Sequence, residues 1–537
     1  MLALAGWSVC AAQSGGGGAP APAAGEKILG MYVHQHWAYR HPYAARTWTL
    51  DDWRGYLDGL HKLGYNMVLI WPMLETMPEP LTPSDEANIA KIAQVIEMGH
   101  RDFGMKVNLV LCPNVSALNE EAAKYTFEQR PFFHTDGRVD PADPVAFGRL
   151  MAWREKLLRP LAATDGLFII DSDPGGYPHS TNLDFVYLLG AHRRVLDRLR
   201  PGVELVYWSH FGWESYGRFY ATGELFDAKG QVLKGPPSEG RDAVALLAAQ
   251  PRSEPWSVAN SGFPDDFLDP IGRGDRVLAF PYGAIESEPS YPFTIYGAAS
   301  RVSAGGRRLK TAYDGGKHGA ARGVLGNSQT HCVQLPNLFA FARGAQGLPA
   351  EKADYAKFAD GLIPGQGELI VESWDALQGD DSPRMDAAVA RLVKLPPPAL
   401  APGPLGGLLL GSTQRFVDDL AAQLRAKSTL FAFRTAVKAT PRDETRVTAT
   451  LTAFASAMAA WQQRHGYGNF WGWPEMDEAL RALGDPGVAA VLDTRTFVSK
   501  EGATPFERVR NGLARLEDYS PRLVASVQQA AERRKAR

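Results

Sequence analysis

From residue 26 onward, short aliphatic or β-branched runs alternate with longer stretches in which apolar residues recur at helical spacing, the pattern of a parallel α/β fold. The runs that predict strands are ILGMYV (28–33), NMVLIW (66–71), KVNLVL (106–111), GLFIID (166–171), VELVYW (203–208), PWSVAN (255–260), VLAFPY (277–282) and GVLGN (323–327). PWSVAN carries the weakest strand signal of the eight. Between them lie helical stretches such as TLDDWRGYLDGLHKLG. There Thr49 is suited to cap the helix, Asp51 and Asp52 sit at its positive end, and Gly64 ends it. Strands separated by helices in this number predict a (β/α)8 TIM barrel over residues 26–350. An open doubly wound sheet is the alternative, but it normally has fewer strands, and no Gly-x-Gly-x-x-Gly turn follows the first one.

After about residue 350 the strand pattern stops. MDAAVARLVKL, TQRFVDDLAAQLRAK and TRVTATLTAFASAMAAWQQRH predict an α-helical C-terminal domain over 351–537, with the Pro-rich PPPALAPGP (396–404) as a loop between helices. A length of 537 residues suits one large barrel with a smaller partner.

Upstream of the barrel, residues 1–25 have a different character. MLALAGWSVCAAQ is a short apolar run that ends in small residues around Cys10, and SGGGGAPAPAAG after it has linker composition. The run resembles the end of a bacterial lipoprotein signal, although the basic n-region is missing; a plain signal peptide is the alternative. The expectation is an exported protein, periplasmic or at the cell surface, that meets a membrane only through a lipid on Cys10. No apolar run near the length of a membrane span follows. Cys112 and Cys332 stand apart from each other and from any Cys-x-x-Cys spacing, and are expected to be buried thiols.

Charge narrows the function classes. With 57 basic and 59 acidic side chains the net charge is −2, so no long-range field favours nucleic acid or an anionic membrane surface. The chain is rich in aromatic residues (13 Trp, 18 Tyr, 24 Phe), which suits a carbohydrate partner because pyranose C–H faces pack on flat rings.

In a β/α barrel the chemistry sits at the C-terminal ends of the strands. The first strand ends in His34, His36 and Trp37; the second in Trp71; the third in Cys112 and Asn114; the fourth in Asp171 and Asp173. The fifth leads to Trp208, His210 and Glu214, the seventh to Tyr282, Glu286 and Glu288, and the last to Asn327, Gln329 and His331. Acids after the fourth and seventh strands fall on opposite sides of the mouth, where two carboxylates can flank a glycosidic bond. In DSDPGGY, Asp171 and Asp173 are crowded on a tight turn, and such crowding raises one pKa toward the range a general acid needs. Asp173 is the expected proton donor. The aromatic segment HGYGNFWGWPEMDEAL (465–480) adds Trp471 as a residue that could line a cleft beside the barrel. No metal and no organic cofactor are expected.

A competing reading takes His34, His36 and His210 as ligands of a catalytic zinc, as in amidohydrolase-type barrels. That arrangement also uses a His after the sixth strand and an Asp after the eighth; here the eighth ends in Asn327 and the sixth supplies no His. A glycan-binding lipoprotein with an inactive barrel is a further alternative.

GLFIIDSDPGGYP, YGAIESEPSYPF and RGVLGNSQTHCVQLPNLFAFARGAQ together resemble three segments of the xylan α-glucuronidases. The resemblance, spread over residues 160–345, implies glycosidic-bond hydrolysis with Asp173 as acid and Glu286 as base, Glu288 being the reserve. That family carries Glu where Asp173 stands, and its N-terminal β-domain has no counterpart here. Barrels of the exo-β-N-acetylhexosaminidase type, in which the substrate's acetamido group attacks, are the nearest alternative; Asp171 and Asp173 would then be the paired acids.

Overall fold

The computed structural model describes residues 27–35, 44–172, 174–224, 243–245, 249, 256–261, 276–286, 293–294, 321–465 and 473–536. Cys10, His36, Trp37, Asp173, Glu288 and Trp471 lie outside them.

Eight parallel strands form a closed barrel in chain order: β1 (Ile28–His34), β2 (Met67–Trp71), β3 (Lys106–Leu111), β4 (Gly166–Ile170), β5 (Glu204–Ser209), β6 (Trp256–Asn260), β7 (Val277–Ala279) and β8 (Ala321–Ser328). β8 pairs with β1, which rules out the open sheet. All eight runs read from the sequence are strands, including PWSVAN. The seventh is shorter than its apolar run because Pro281 has no N–H for a ladder, and Tyr282–Ala284 turns into a 3-10 helix instead. Closure depends on Gly323, which has φ +143°; a Cβ there would stand 1.9 Å from the Ile28 carbonyl oxygen.

The first helix, α1 (Leu50–Lys62), begins as its sequence suggests. Thr49 Oγ1 accepts from the Asp52 amide at 3.1 Å while the Asp52 carboxylate accepts from the Thr49 amide at 2.9 Å. α2 (Pro83–Phe103) opens with a second box of this kind, Thr82 with Asp85. Asp85 also takes a buried bidentate pair from Arg130, at 2.6 and 3.0 Å, which fastens the excursion after β3 to the helix start. That excursion carries an antiparallel hairpin, Val115–Ala117 with Asp136–Arg138, which the sequence pattern did not suggest. Around the barrel follow α3 (Pro144–Leu158), α4 (Asn182–Leu199), α5 (Trp213–Thr222) and α6 (Leu335–Gln346).

Among the described residues beyond β8 every regular element is helical: after α6 come α7 (Lys352–Leu362), α8 (Gly367–Ala376), α9 (Ser382–Leu392), α10 (Thr413–Lys438), α11 (Glu444–His465), α12 (Pro474–Leu483), α13 (Pro486–Leu492), α14 (Pro505–Glu517) and α15 (Tyr519–Lys535). The Pro-rich stretch forms short 3-10 turns, Pro397–Leu400 and then Gly406–Leu409. One apolar core runs through barrel and helices without a break. At the seam α1 approaches the Gly406–Leu409 turn so closely that a Cβ on Gly55 would lie 2.9 Å from the Gly407 Cα. Elsewhere Glu517, at the end of α14, accepts from the amides of Phe132 and Phe133 at 2.7 and 2.9 Å. No helix among the described residues is long and apolar enough to cross a membrane. Cys112 and Cys332 are both buried, and neither is in a disulfide.

Candidate active site

Strand register brings the chain ends of the barrel to one level: His34 pairs with Trp71, Ile170 with Trp208, and Ser209 with Asn260. The side chains there form a continuous aromatic layer. Tyr32 meets His34 and Trp208 edge-on at 5.4 and 5.2 Å, His34 meets Trp71 at 4.8 Å, and Trp208 lies 4.8 Å from Phe280. His34, Trp71 and Trp208 are buried, so in this layer they are walls rather than open platforms. Burial, with Arg46 and His331 nearby, holds the His34 imidazole well below its usual pKa, in its neutral form. Trp71 Nε1 donates to both oxygens of Glu75 at 3.2 Å, and Glu75 also accepts from the Cys112 amide. Burial raises the Glu75 pKa.

Asp171 follows β4 directly and is fully buried. Its Oδ1 accepts from Ser172 Oγ at 2.8 Å, the His210 amide at 3.0 Å and the Gly212 amide at 3.2 Å, and its Oδ2 accepts from the Tyr207 hydroxyl at 2.9 Å. Removal from water dominates over these donors and pushes the carboxyl up to about 7. Asp171 thereby fixes the loop after β5 that carries His210. That imidazole is half-buried; it contacts Ser261 Oγ through Nδ1 at 3.3 Å and sits 5.1 Å from the Tyr282 ring. Desolvation holds it neutral as well. Ser261 also accepts from Trp208 Nε1 at 3.0 Å, and Asn260 accepts from Ser209 Oγ at 2.9 Å. Among the described residues at this end of the barrel, His210, Asn260, Ser261 and Tyr282 are half-buried polar groups, and His210 is joined to Asp171 through its amide.

On the β7 side, Glu286 is buried and receives the amides of Gln329 and Thr330, each at 2.7 Å, together with the Thr330 hydroxyl. Asn327 Nδ2 donates to the Glu286 carbonyl at 2.8 Å, and Gln329 Nε2 donates to the Tyr282 hydroxyl at 2.7 Å. These bonds clamp the segment after β7 to the end of β8. Two other candidate residues sit away from this group. Glu214 accepts from the Asn182 amide at 2.8 Å and so caps α4, while His331 is buried against Trp48 and Tyr56, with Nδ1 3.1 Å from the Tyr56 hydroxyl. Among the described residues no group of three or more His, Cys, Asp or Glu is placed to hold a metal ion.

Sequence reading missed Glu75, Tyr207, Asn260 and Ser261. Asn260 and Ser261 close the sixth strand, the one with the least distinctive pattern. Glu75 stands four residues past β2, outside the window in which strand-end residues are normally sought.

No family model matches this chain, and no curated protein is detectably similar to it in sequence. Among solved structures the chain is similar to a GH138 enzyme targeting pectin rhamnogalacturonan II, at 10% identity and a TM-score of 0.40, covering 82% of this chain and 62% of that one. It is also similar to the GH20 β-N-acetylhexosaminidase of Streptomyces coelicolor A3(2) (14% identity, TM-score 0.32, 65% of this chain and 69% of that one). The GH5_18 protein of Streptomyces cattleya, solved with Manβ1-4GlcNAc, gives 12% identity and a TM-score of 0.31 over 65% of this chain and 91% of that one. These are similarities of chain path, and the functional reading below rests on the site.

Proposed function

We propose that this protein is a glycoside hydrolase that cleaves a terminal glycosidic bond of an oligosaccharide or polysaccharide. The observation that carries this reading is Asp171: a carboxyl at the C-terminal end of a barrel strand, pushed up to about 7, bonded to the amide of His210, whose imidazole meets half-buried Ser261 and Tyr282. With four protein donors already on it, Asp171 acts as a positioning and electrostatic neighbour. Asp173, two residues further along the chain, is the proton donor, and when Asp171 ionises its charge favours the protonated form of Asp173. The base comes from the β7 segment. Since the Glu286 carboxylate is engaged by three protein donors, Glu288 takes that role and Glu286 holds the segment in place. The chemistry runs without a metal, and the substrate class is that of the α-glucuronidase-like segments. A substrate-assisted mechanism of the hexosaminidase type is less favoured, because Asp171 would have to leave its donors to meet the substrate.

General acid catalysis contributes on the order of 10² to 10⁴ in rate, most of all for poor leaving groups. Asp173→Asn is expected to lower kcat for an oligosaccharide by that factor and to affect a nitrophenyl glycoside far less, in assays run with excess EDTA. Equal losses on both substrates would remove Asp173 from the donor role. Activity that EDTA abolishes and Zn²⁺ restores would replace this reading with the metal-dependent one.

A further inference from the structure

Four residues beyond Asp173 in sequence, Tyr177 begins the wall of a cleft of about 530 Å³, within the range of small-ligand sites. One side is the turn Tyr177–Ser180, the floor is Tyr220 on α5, and the far side is Thr504–Phe506, where α14 begins. Barrel and helical region thus build it together. The floor is rigid: the Tyr220 hydroxyl accepts from Arg138 Nε and Nη2 at 3.2 and 3.1 Å, and Arg138 is itself paired with buried Asp136. Asn114 ties the neighbouring wall to the hairpin by donating to the Gly176 and Val139 carbonyls, both at 2.9 Å.

The lining has a definite chemistry. Tyr177 and Tyr220 each lie against Phe506, at 6.0 and 5.3 Å, so three rings face one space. Asp140, Asp184, His179, Ser180 and Thr504 supply polar groups around them, and the described lining contains no Lys or Arg. Flat rings suit the C–H faces of a pyranose, carboxylates, hydroxyls and the His179 imidazole suit its O–H groups, and two acids against a single imidazole disfavour an anionic ligand.

We infer that this cleft binds neutral sugar units on the leaving-group side of the scissile bond, an inference that rests on the glycoside hydrolase reading. Tyr177 follows the proposed donor Asp173 by only four residues, at most about 14 Å of extended chain, which keeps the cleft within reach of the leaving group. Binding energy from that sugar would then be available where the proton is delivered.

The test uses the full chain with xylotetraose, cellotetraose, mannotetraose and tetragalacturonate, followed by calorimetry and saturation-transfer NMR. At least one neutral tetrasaccharide should bind, and more tightly than tetragalacturonate. Tyr177→Ala should weaken that binding about tenfold, the range for loss of one stacking ring. Ala142→Trp, which fills the cleft from an exposed position and removes no contact, should do the same while the unfolding midpoint is kept. In turnover, both variants should lose about tenfold more kcat/KM on the oligosaccharide than on an aryl glycoside, which has no sugar on the leaving side. Absence of binding by every neutral tetrasaccharide, binding that both variants leave unchanged, or equal losses on the two substrates overturns the assignment. Wild-type protein that cleaves no glycoside, yet binds oligosaccharide in a manner both variants weaken, refutes the hydrolase reading alone and leaves the cleft a glycan site.

Discussion

Replacing Asp171 by Asn gives a prediction whose sign follows from the site. An ordinary Asp carboxyl titrates near 3.8, and burial carries this one to about 7. That difference corresponds to about 4 kcal/mol of preference for the protonated form in the folded chain. Below pH 3.8 the folded and unfolded states both hold the proton and the group adds no pH dependence. Between 3.8 and about 7 only the folded state retains it, so stability falls as pH rises through that window and levels off above it. Asn cannot ionise, and its amide can keep an oxygen acceptor toward the His210 and Gly212 amides. At pH 4 the variant should match wild type to within about 1 kcal/mol. By pH 7.5 it should be relatively more stable by up to about 4 kcal/mol. Urea unfolding followed by tryptophan fluorescence at pH 4, 5, 6, 7 and 7.5 reads this difference directly. A difference that stays flat with pH, or grows in favour of wild type, would refute the reasoning. It would show that the four donors outweigh burial and that Asp171 is an ionised carboxylate throughout.

Gly323→Ala should prevent barrel closure, because its Cβ would stand 1.9 Å from the Ile28 carbonyl oxygen at a backbone angle of φ +143°. The cost is above about 3 kcal/mol, and loss of soluble expression or of cooperative unfolding would report it. Asp85→Ala strands the buried Arg130 guanidinium and removes the α2 cap, so the midpoint of urea unfolding should drop by the equivalent of about 3–5 kcal/mol. The double variant Asp85→Ala/Arg130→Met should recover part of that loss; a double variant no better than the single one would show that the cap, not the unpaired charge, dominates.

The barrel was legible because buried parallel strands must be continuously apolar, a constraint that left eight runs at helix-length intervals. KVNLVL became Lys106–Leu111 without a residue's difference, and Thr49 caps α1 as its sequence implied, in a box with Asp52 that only the structure shows. The hairpin at Val115–Ala117 and Asp136–Arg138 was not legible, since three-residue strands have too few positions for a period-two pattern to show. The site was legible by position more than by role. Asp171 and Glu286 do occupy the ends of β4 and the segment after β7, but only the folded chain shows how many donors each has gathered. Glu214 reads in sequence as a strand-end acid, and in the fold it caps a neighbouring helix. Such roles depend on partners far away in the chain, which spacing cannot reveal. Trp71 and Trp208 were legible as strand-end rings, but sequence gives an aromatic residue's place on a strand and not whether neighbours cover its face.

The close seam between α1 and the Gly406–Leu409 turn also sets a timetable for synthesis. Lys62, at the end of α1, donates through Nζ to the Pro404 carbonyl at 2.9 Å across 342 residues of chain. Translation at roughly 5–20 residues per second puts about 20–70 s between their emergence from the ribosome. Throughout that interval the groove at Gly55, too shallow for any side chain, stays unfilled. The latch of Glu517 onto Phe132 and Phe133 closes later still, across 385 residues. A nascent chain paused inside the helical region therefore presents a barrel with two open joints, and it is in that paused state that chaperones have most surface to hold.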